Sequence, residues 1–206
     1  MLSRLRSLGL RPDPPRGASD EPRAASGESP PGAQPAAALS FDALYQEHFA
    51  FVWRSLRGLG VPARSLDDAV QDVFVVVHRR LAEFEGRSSP RTWLFAISLH
   101  VSRNYRRSER RHGDHAELDP TLPANGDTPE ERAERAQEWH FVARFLDGLS
   151  EGKRAVFVLC VLEGATAGEA AAALSIPANT VYTRLHDVRA AFRDAVAARV
   201  RGHSHG

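Results

Sequence analysis

The sequence predicts an all-α protein: two small helical domains joined by a flexible acidic linker, the second ending in a helix-turn-helix. Three observations predict it. Apolar residues recur at three-and-four spacing in successive segments, the period of a one-sided helix. Capping residues precede several of those segments. And the stretch TAGEAAAALSIPANTVYTRLHDVR, residues 166–189, halts an alanine-rich helix at Ser-Ile-Pro and restarts it at once with polar and basic residues. Two helices joined by so tight a turn form a unit that holds its second helix outwards.

Residues 1–39 are the exception to helical order. From residue 9 onward they are dominated by Pro, Ala, Ser, Gly and Arg without apolar period. Such a composition buries too little surface to offset ordering, so a disordered tail is expected. Helical order is expected from Ser40, a plausible N-cap. Phe41, Leu44, Tyr45, His48, Phe49, Val52, Trp53 and Leu56 then share one face, and Gly58, Gly60 and Pro62 close the segment. SLDD announces a second helix, with Ser65 and Asp68 placed as a capping box in which Asp replaces Glu. Ala69, Val70, Val73, Phe74, Val77 and Leu81 carry its apolar face to about Phe84. The run VFVVV alone fits a strand as well, but the flanking period and the cap favour helix.

A loop, EGRSS, leads to Pro90, whose missing N–H suits a first helical turn. Trp93, Leu94, Ile97, Val101 and Tyr105 supply the third helix's buried stripe, and its last turns are nearly all arginine, matching the negative end of the helix dipole. These helices make a first domain over residues 40–111. Residues 112–127, acidic and holding Pro120, Pro123 and Gly126, read as the linker. TPEE restarts helix with Thr128 as cap, Pro129 in the first turn and Glu131 at the third position. Ala133, Ala136, Val142, Leu146 and Leu149 mark its face. Ser150 caps a further helix holding Ala155, Val156, Leu159 and Cys160. Thr166 and Glu169 form another capping box before the final pair. The second domain is thus four helices over residues 128–201, with a tail at 202–206.

Length and charge bound the function. The chain has 206 residues and a formal net charge of +1, enough for a real core and too balanced for a uniformly basic nucleic-acid coat. The charge is sorted instead. RNYRRSERRH carries Arg103, Arg106, Arg107, Arg110 and Arg111 against Glu109, while the acids Asp114, Glu117, Asp119, Asp127, Glu130, Glu131, Glu134 and Glu138 follow, against Arg132 and Arg135. Cys160 is the only cysteine, so no internal disulfide forms, and in VFVLCVLEG it reads as a small core residue rather than a nucleophile. No apolar run reaches the ~18 residues of a membrane span, and the N-terminus lacks the apolar stretch of a signal peptide. A cytoplasmic protein is expected. The nine histidines form no HExxH and no paired metal-ligand set, and no hydroxyl nucleophile has a recognisable base partner, so neither a metal nor another cofactor is implied and an enzyme is not expected.

Nucleic acid is the better partner. In the last helix Val181, Leu185, Val188, Phe192 and Val196 recur at spacings of four, three, four and four and turn one face inward. Asn179, Thr180, Tyr182, Thr183, Arg184 and His186 are left at the front or its margins, residue types suited to base edges and phosphates. The helix from Pro90 sets Trp93, Phe95 and Tyr105 among Arg91, Arg103, Arg106 and Arg107 with Asn104 between, a mixture that suits unstacked bases and a phosphate backbone; for Tyr105 a core role is the better reading. A duplex reader and a single-strand reader in one chain belong where DNA is opened.

Two stretches carry a resemblance. SLDDAVQDVFVVVHRRLAEFEGRSSPRTWLFAISLHVSRNYRRSERR resembles the second region of bacterial RNA polymerase sigma factors, and LSEGKRAVFVLCVLEGATAGEAAAALSIPANTVYTRLHDVRAAF is similar to their fourth. With only these two domains and a short linker, the chain resembles the extracytoplasmic-function (ECF) group, over about residues 41–200. The resemblance implies a factor that binds core RNA polymerase, recognises −35 and −10 promoter elements, melts the −10 DNA and directs initiation. It implies the clamp and flap regions of core polymerase as partners, with Asp68, Gln71 and Phe74, which match D-x-x-Q-x-x-F, on the helix that docks the clamp of the largest subunit. It implies −10 capture by the loop from Glu85 to Pro90 and the helix behind it, with Arg91, Trp93, Arg103, Asn104 and Arg107 foremost. Asn179, Thr180, Tyr182, Thr183, Arg184 and His186 would enter the major groove at −35, the linker would thread towards the RNA exit channel, and an anti-sigma factor is a candidate partner. The sequence departs from the pattern where Ser175 replaces a customary Gly in the turn, and where residues 85–90 hold no aromatic. The alternative, a helix-turn-helix regulator acting without polymerase, accounts for residues 166–189 but leaves DAVQDVF and the arginine-ended helix unexplained.

Overall fold

The computed structural model describes residues 40–112 and 128–203, and every described element is helical or a turn. The tail expected over 1–39, the linker expected over 112–127 apart from its first residue, and residues 204–206 lie outside the described residues.

Ser40 starts α1 (Phe41–Gly58) as expected: its extended backbone lets Oγ accept the Ala43 amide at 3.1 Å. The apolar face buries Leu44, Val52, Trp53 and Leu56, and Gly60 turns the chain out of the helix at φ 87°. A 3-10 turn, Ala63–Ser65, then precedes α2 (Leu66–Arg80). The capping box expected at Ser65 and Asp68 is not made. Ser65 ends the 3-10 turn at φ −110°, ψ 6°, and its side chain makes no capping bond, because that backbone does not aim Oγ at the first-turn amides as an extended one does. VFVVV is helical. Val73, Val77 and Phe74 are buried while Val75 is exposed, which no two-residue alternation would produce. A second 3-10 turn, Leu81–Glu83, closes this segment.

Helix α3 (Pro90–His112) crosses both. It buries Leu94, Phe95, Ile97, Leu99 and Val101. Phe95 is fully buried, so it belongs to the core and not among the base-stacking aromatics. Two serines sit beside it without penalty, since Ser98 donates to the Leu94 carbonyl at 2.8 Å and Ser102 to the Leu99 carbonyl at 2.9 Å.

The C-terminal helices are α4 (Pro129–Asp147), α5 (Glu151–Val156, continued as a π-helical stretch Phe157–Leu162), α6 (Ala167–Leu174) and α7 (Ala178–His203). Thr128 and Thr166 each close the capping box read from the sequence, accepting the amides of Glu131 and Glu169 at 3.2 Å while those glutamates accept the threonine amides. Ser150 stands at the N-cap of α5 with extended backbone, but its side chain makes no capping bond. Ala133, placed by periodicity on the apolar face of α4, is exposed: burial on that helix starts further along, with Val142 and Leu146. Three rings, Phe145, Phe157 and Phe192, pack at centroid distances of 5.1–5.3 Å and tie α4, α5 and α7 together. Cys160 is buried, and burial pushes its thiol up to about 11, as befits a core residue.

The two sets of helices pack on each other, α3 against α6 and α1 against the π-helical stretch. Gly58 makes this possible: a Cβ there would stand 2.9 Å from Val158 Cγ2. No helix of the described residues is long and apolar enough to cross a membrane.

Candidate protein- and nucleic-acid-binding surfaces

An open groove of about 610 Å³ runs between α1 and α2, lined by Phe41, Tyr45, Phe49, Gln71, Phe74 and Val75 among others. Asp68 and Gln71 are exposed and three residues apart, so they share a helix face. Phe74 is only 3% exposed: it meets Phe41 edge-on at 6.3 Å and Tyr45 at 4.7 Å, presenting an edge to the groove while filling the core. Sequence reasoning missed the apolar walls. Tyr45 was placed on the buried face but is 41% exposed, and Val75 is 39% exposed. The signal for Val75 was legible, since it is a valine off the apolar face of α2.

The second surface lies along α3. At 100° per residue, Trp93, Asn104 and Arg107 fall within about 60° of one another, with Arg103 at the edge of that face and Arg91 on the far side. Asn104 and Arg107 are exposed. Trp93 is half-buried, resting on Phe84 at 4.9 Å, so one ring is held firmly while part of it reaches solvent. Tyr105 is a strut rather than a stacking ring. Its hydroxyl donates to Asp72 Oδ2 at 2.8 Å, and burial, then that bond, pushes the phenol up to about 12. Arg91 and Arg103 point towards the C-terminal helices. Arg91 packs 4.6 Å from the Phe51 ring centroid and reaches Glu163, and Arg103 donates to Glu151 at 2.7 Å. Arg54, missed by sequence reasoning, lies with them: its guanidinium donates two 2.9 Å bonds to the Glu163 carboxylate.

The third surface is the front of α7. Ser175 adopts the left-handed conformation, φ 51°, at the turn between α6 and α7, and the Pro177 carbonyl accepts the amides of Thr180 and Val181 to start the helix without a hydroxyl cap. Val181, Leu185, Val188 and Phe192 are buried as their spacing predicts, and Val196 is half-buried. Asn179, Tyr182, Thr183 and His186, spaced three, one and three, are exposed on one side; Thr180 and Arg184 are half-buried at its margins. Thr183 Oγ1 already donates to the Asn179 carbonyl at 3.0 Å. The Arg184 guanidinium lies across Gly152, where a Cβ would come within 2.6 Å of Nη1, so a glycine beneath it sets that arginine's position. Lys153 and Asp187 pair at 3.0 Å beside it. Among the described residues no group of three His, Cys, Asp or Glu side chains gathers as a metal site.

These surfaces fall within two family matches. Sigma-70 region 2 matches residues 44–112 and Sigma-70 region 4 matches residues 142–192. The RNA polymerase sigma factor NccH of Alcaligenes xylosoxydans xylosoxydans is 31% identical over 159 residues, 73% of this chain and 83% of that protein. The ECF RNA polymerase sigma-E factor of Escherichia coli is 27% identical over 150 residues, 68% of this chain and 78% of that protein. Among solved structures, CnrH, a sigma factor of Cupriavidus metallidurans seen in complex with the cytosolic domain of CnrY, superposes with a TM-score of 0.58 at 29% identity, over 79% of this chain and 88% of that one. With both regions in order on one all-α chain, the chain belongs to the sigma-70 family of RNA polymerase sigma factors, in its extracytoplasmic-function group.

Proposed function

We propose that this sigma factor divides promoter recognition among its three surfaces. Core polymerase docks on α2 through Asp68 and Gln71, with the apolar groove beside them taking side chains of the clamp. The Trp93–Asn104–Arg107 face of α3 holds unstacked bases of the −10 element and their phosphates, with Arg91 and Arg103 contributing charge once free to do so. Asn179, Tyr182, Thr183 and His186 of α7 enter the major groove at −35, Arg184 flanking them. The chain supplies binding energy rather than bond chemistry, so it acts as an initiation factor and not as an enzyme, in the cytoplasm beside the polymerase. The groove and the α3 face are also what an anti-sigma factor would cover, as a protein partner is seen on the related CnrH.

One observation carries the reading: an exposed i, i+3, i+4, i+7 set on α7 stands on the same chain as an aromatic–Asn–Arg face on α3. Run-off transcription tests it, with core polymerase, this protein and genomic upstream fragments. New discrete start sites that depend on the protein are expected. DNA binding that ignores core polymerase, with no transcript, would instead leave a helix-turn-helix regulator.

A further inference from the structure

The first turn of α5 packs beside the recognition helix and meets it twice. Gly152 is helical, so no turn calls for glycine there, and glycine is a poor helix former. What its missing side chain leaves is room. A Cβ would stand 2.6 Å from Arg184 Nη1, 2.9 Å from Cζ and 3.3 Å from Nη2, so the guanidinium fills the space an alanine would take. One residue on, Lys153 Nζ pairs with Asp187 Oδ2 at 3.0 Å. Arg184 and Asp187 are three apart and share one margin of α7, where Asp187 lies about 40° round the helix from Thr183. A carboxylate there repels the phosphates that line a groove, and the Lys153 ammonium cancels its charge. The two side chains are 41% and 44% exposed, too open for the pair to contribute much to stability.

We propose that Gly152 and Lys153 are positioning residues for −35 recognition. Gly152 leaves the bed on which the Arg184 guanidinium rests, at the margin where a phosphate of the groove wall takes it. Lys153 neutralises Asp187, so that margin carries the charge of Arg184 undiminished. Both act through α7 and not by touching DNA. The proposal rests on the reading of α7 as the major-groove helix and adds to it the two residues of a neighbouring helix that set its flanking charges.

The test uses holoenzyme, formed from core polymerase and the full chain, on a fluorescein-labelled duplex of the promoter that gives the strongest run-off transcript. Anisotropy over a salt series reads affinity and the slope of log Kd against log salt, which counts neutralised phosphates. Gly152→Ala is expected to weaken binding about 4-fold, the share of one phosphate contact, and to lower the slope by about 1. It is expected to melt no earlier than wild type, since only the far end of a flexible side chain must move and alanine favours helix. In an Arg184→Ala background the same change is expected to do nothing, which a merely structural role would not produce. Lys153→Ala is expected to weaken binding by a similar factor, and adding Asp187→Asn to restore it. Unchanged affinity and slope in Gly152→Ala overturn the proposal, as does an equal loss with or without Arg184. A Lys153→Ala loss that Asp187→Asn fails to restore makes Lys153 a DNA contact itself and overturns its positioning role. Asn179→Ala separates the two readings. If it weakens binding where Gly152→Ala does not, α7 still enters the groove and only this proposal falls; if neither does, or no promoter is found, both fall.

Discussion

Tyr105 and Asp72 join α3 to α2: the phenol hydroxyl donates to Asp72 Oδ2 at 2.8 Å across 33 positions of sequence. The bond fixes the arginine-ended half of α3 against the helix that carries Asp68 and Gln71. Tyr105→Phe is expected to lower stability by about 1 kcal/mol in a urea melt, the typical net worth of one hydrogen bond. The pH dependence has a definite sign. Burial and Asp72 raise the phenol from 10.0 to about 12, so the folded state keeps its proton where the unfolded state loses it. This contribution is whole below pH 10 and falls away between 10 and 12. The variant is expected to show a shallower alkaline loss than the wild type across that window.

On α2, Asp68→Ala with Gln71→Ala is expected to weaken core-polymerase binding about tenfold or more, as loss of central interface contacts does. Both side chains are exposed, so melting should move within about 0.5 kcal/mol of wild type. Unchanged affinity in a pull-down or biosensor titration, with helicity preserved, removes polymerase docking from this face.

The recognition helix separates residues that look alike in sequence. Asn179→Ala and Tyr182→Ala each remove a free, exposed side chain and are expected to reduce −35-dependent binding of holoenzyme by about 1–3 kcal/mol. Thr183→Ala is expected to do less, because its hydroxyl is already bonded to the Asn179 carbonyl. Equal losses at all three positions, measured by filter binding, would mean that α7 sits differently on DNA.

Ser175 is the non-glycine residue with positive φ among the described residues, at φ 51° and ψ 45°. A left-handed conformation costs an L-residue roughly 1–2 kcal/mol, part of which glycine returns as unfolded-state entropy. Ser175→Gly is therefore expected to stabilise the chain by about 0.5–1 kcal/mol in thermal or urea unfolding while leaving DNA binding unchanged. A destabilised variant would show that the Ser175 side chain contributes to the turn.

Much of the fold was legible because the code is local. Thr128 with Glu131 and Thr166 with Glu169 form their capping boxes, since both partners lie within one helical turn. The buried line Val181, Leu185, Val188, Phe192 follows from helical period alone. Ser65 and Asp68 have comparable spacing and fail to form a box, because the 3-10 turn before them fixes the backbone of Ser65 first. Phe95 was unreadable for another reason: composition cannot say which of several aromatics on an arginine-rich helix turns to the core, and the neighbours on α1 and α2 decide it.

By itself the sequence determined the all-α architecture, the helix-turn-helix and the residue types on each recognition face, because capping and periodicity act within a few residues. Tertiary structure alone decided where the charges go. Arg54, Arg91 and Arg103 find Glu163 and Glu151 across 109, 72 and 48 positions, pairings that no local pattern encodes and that only the approach of the two halves at Gly58 brings within hydrogen-bond reach.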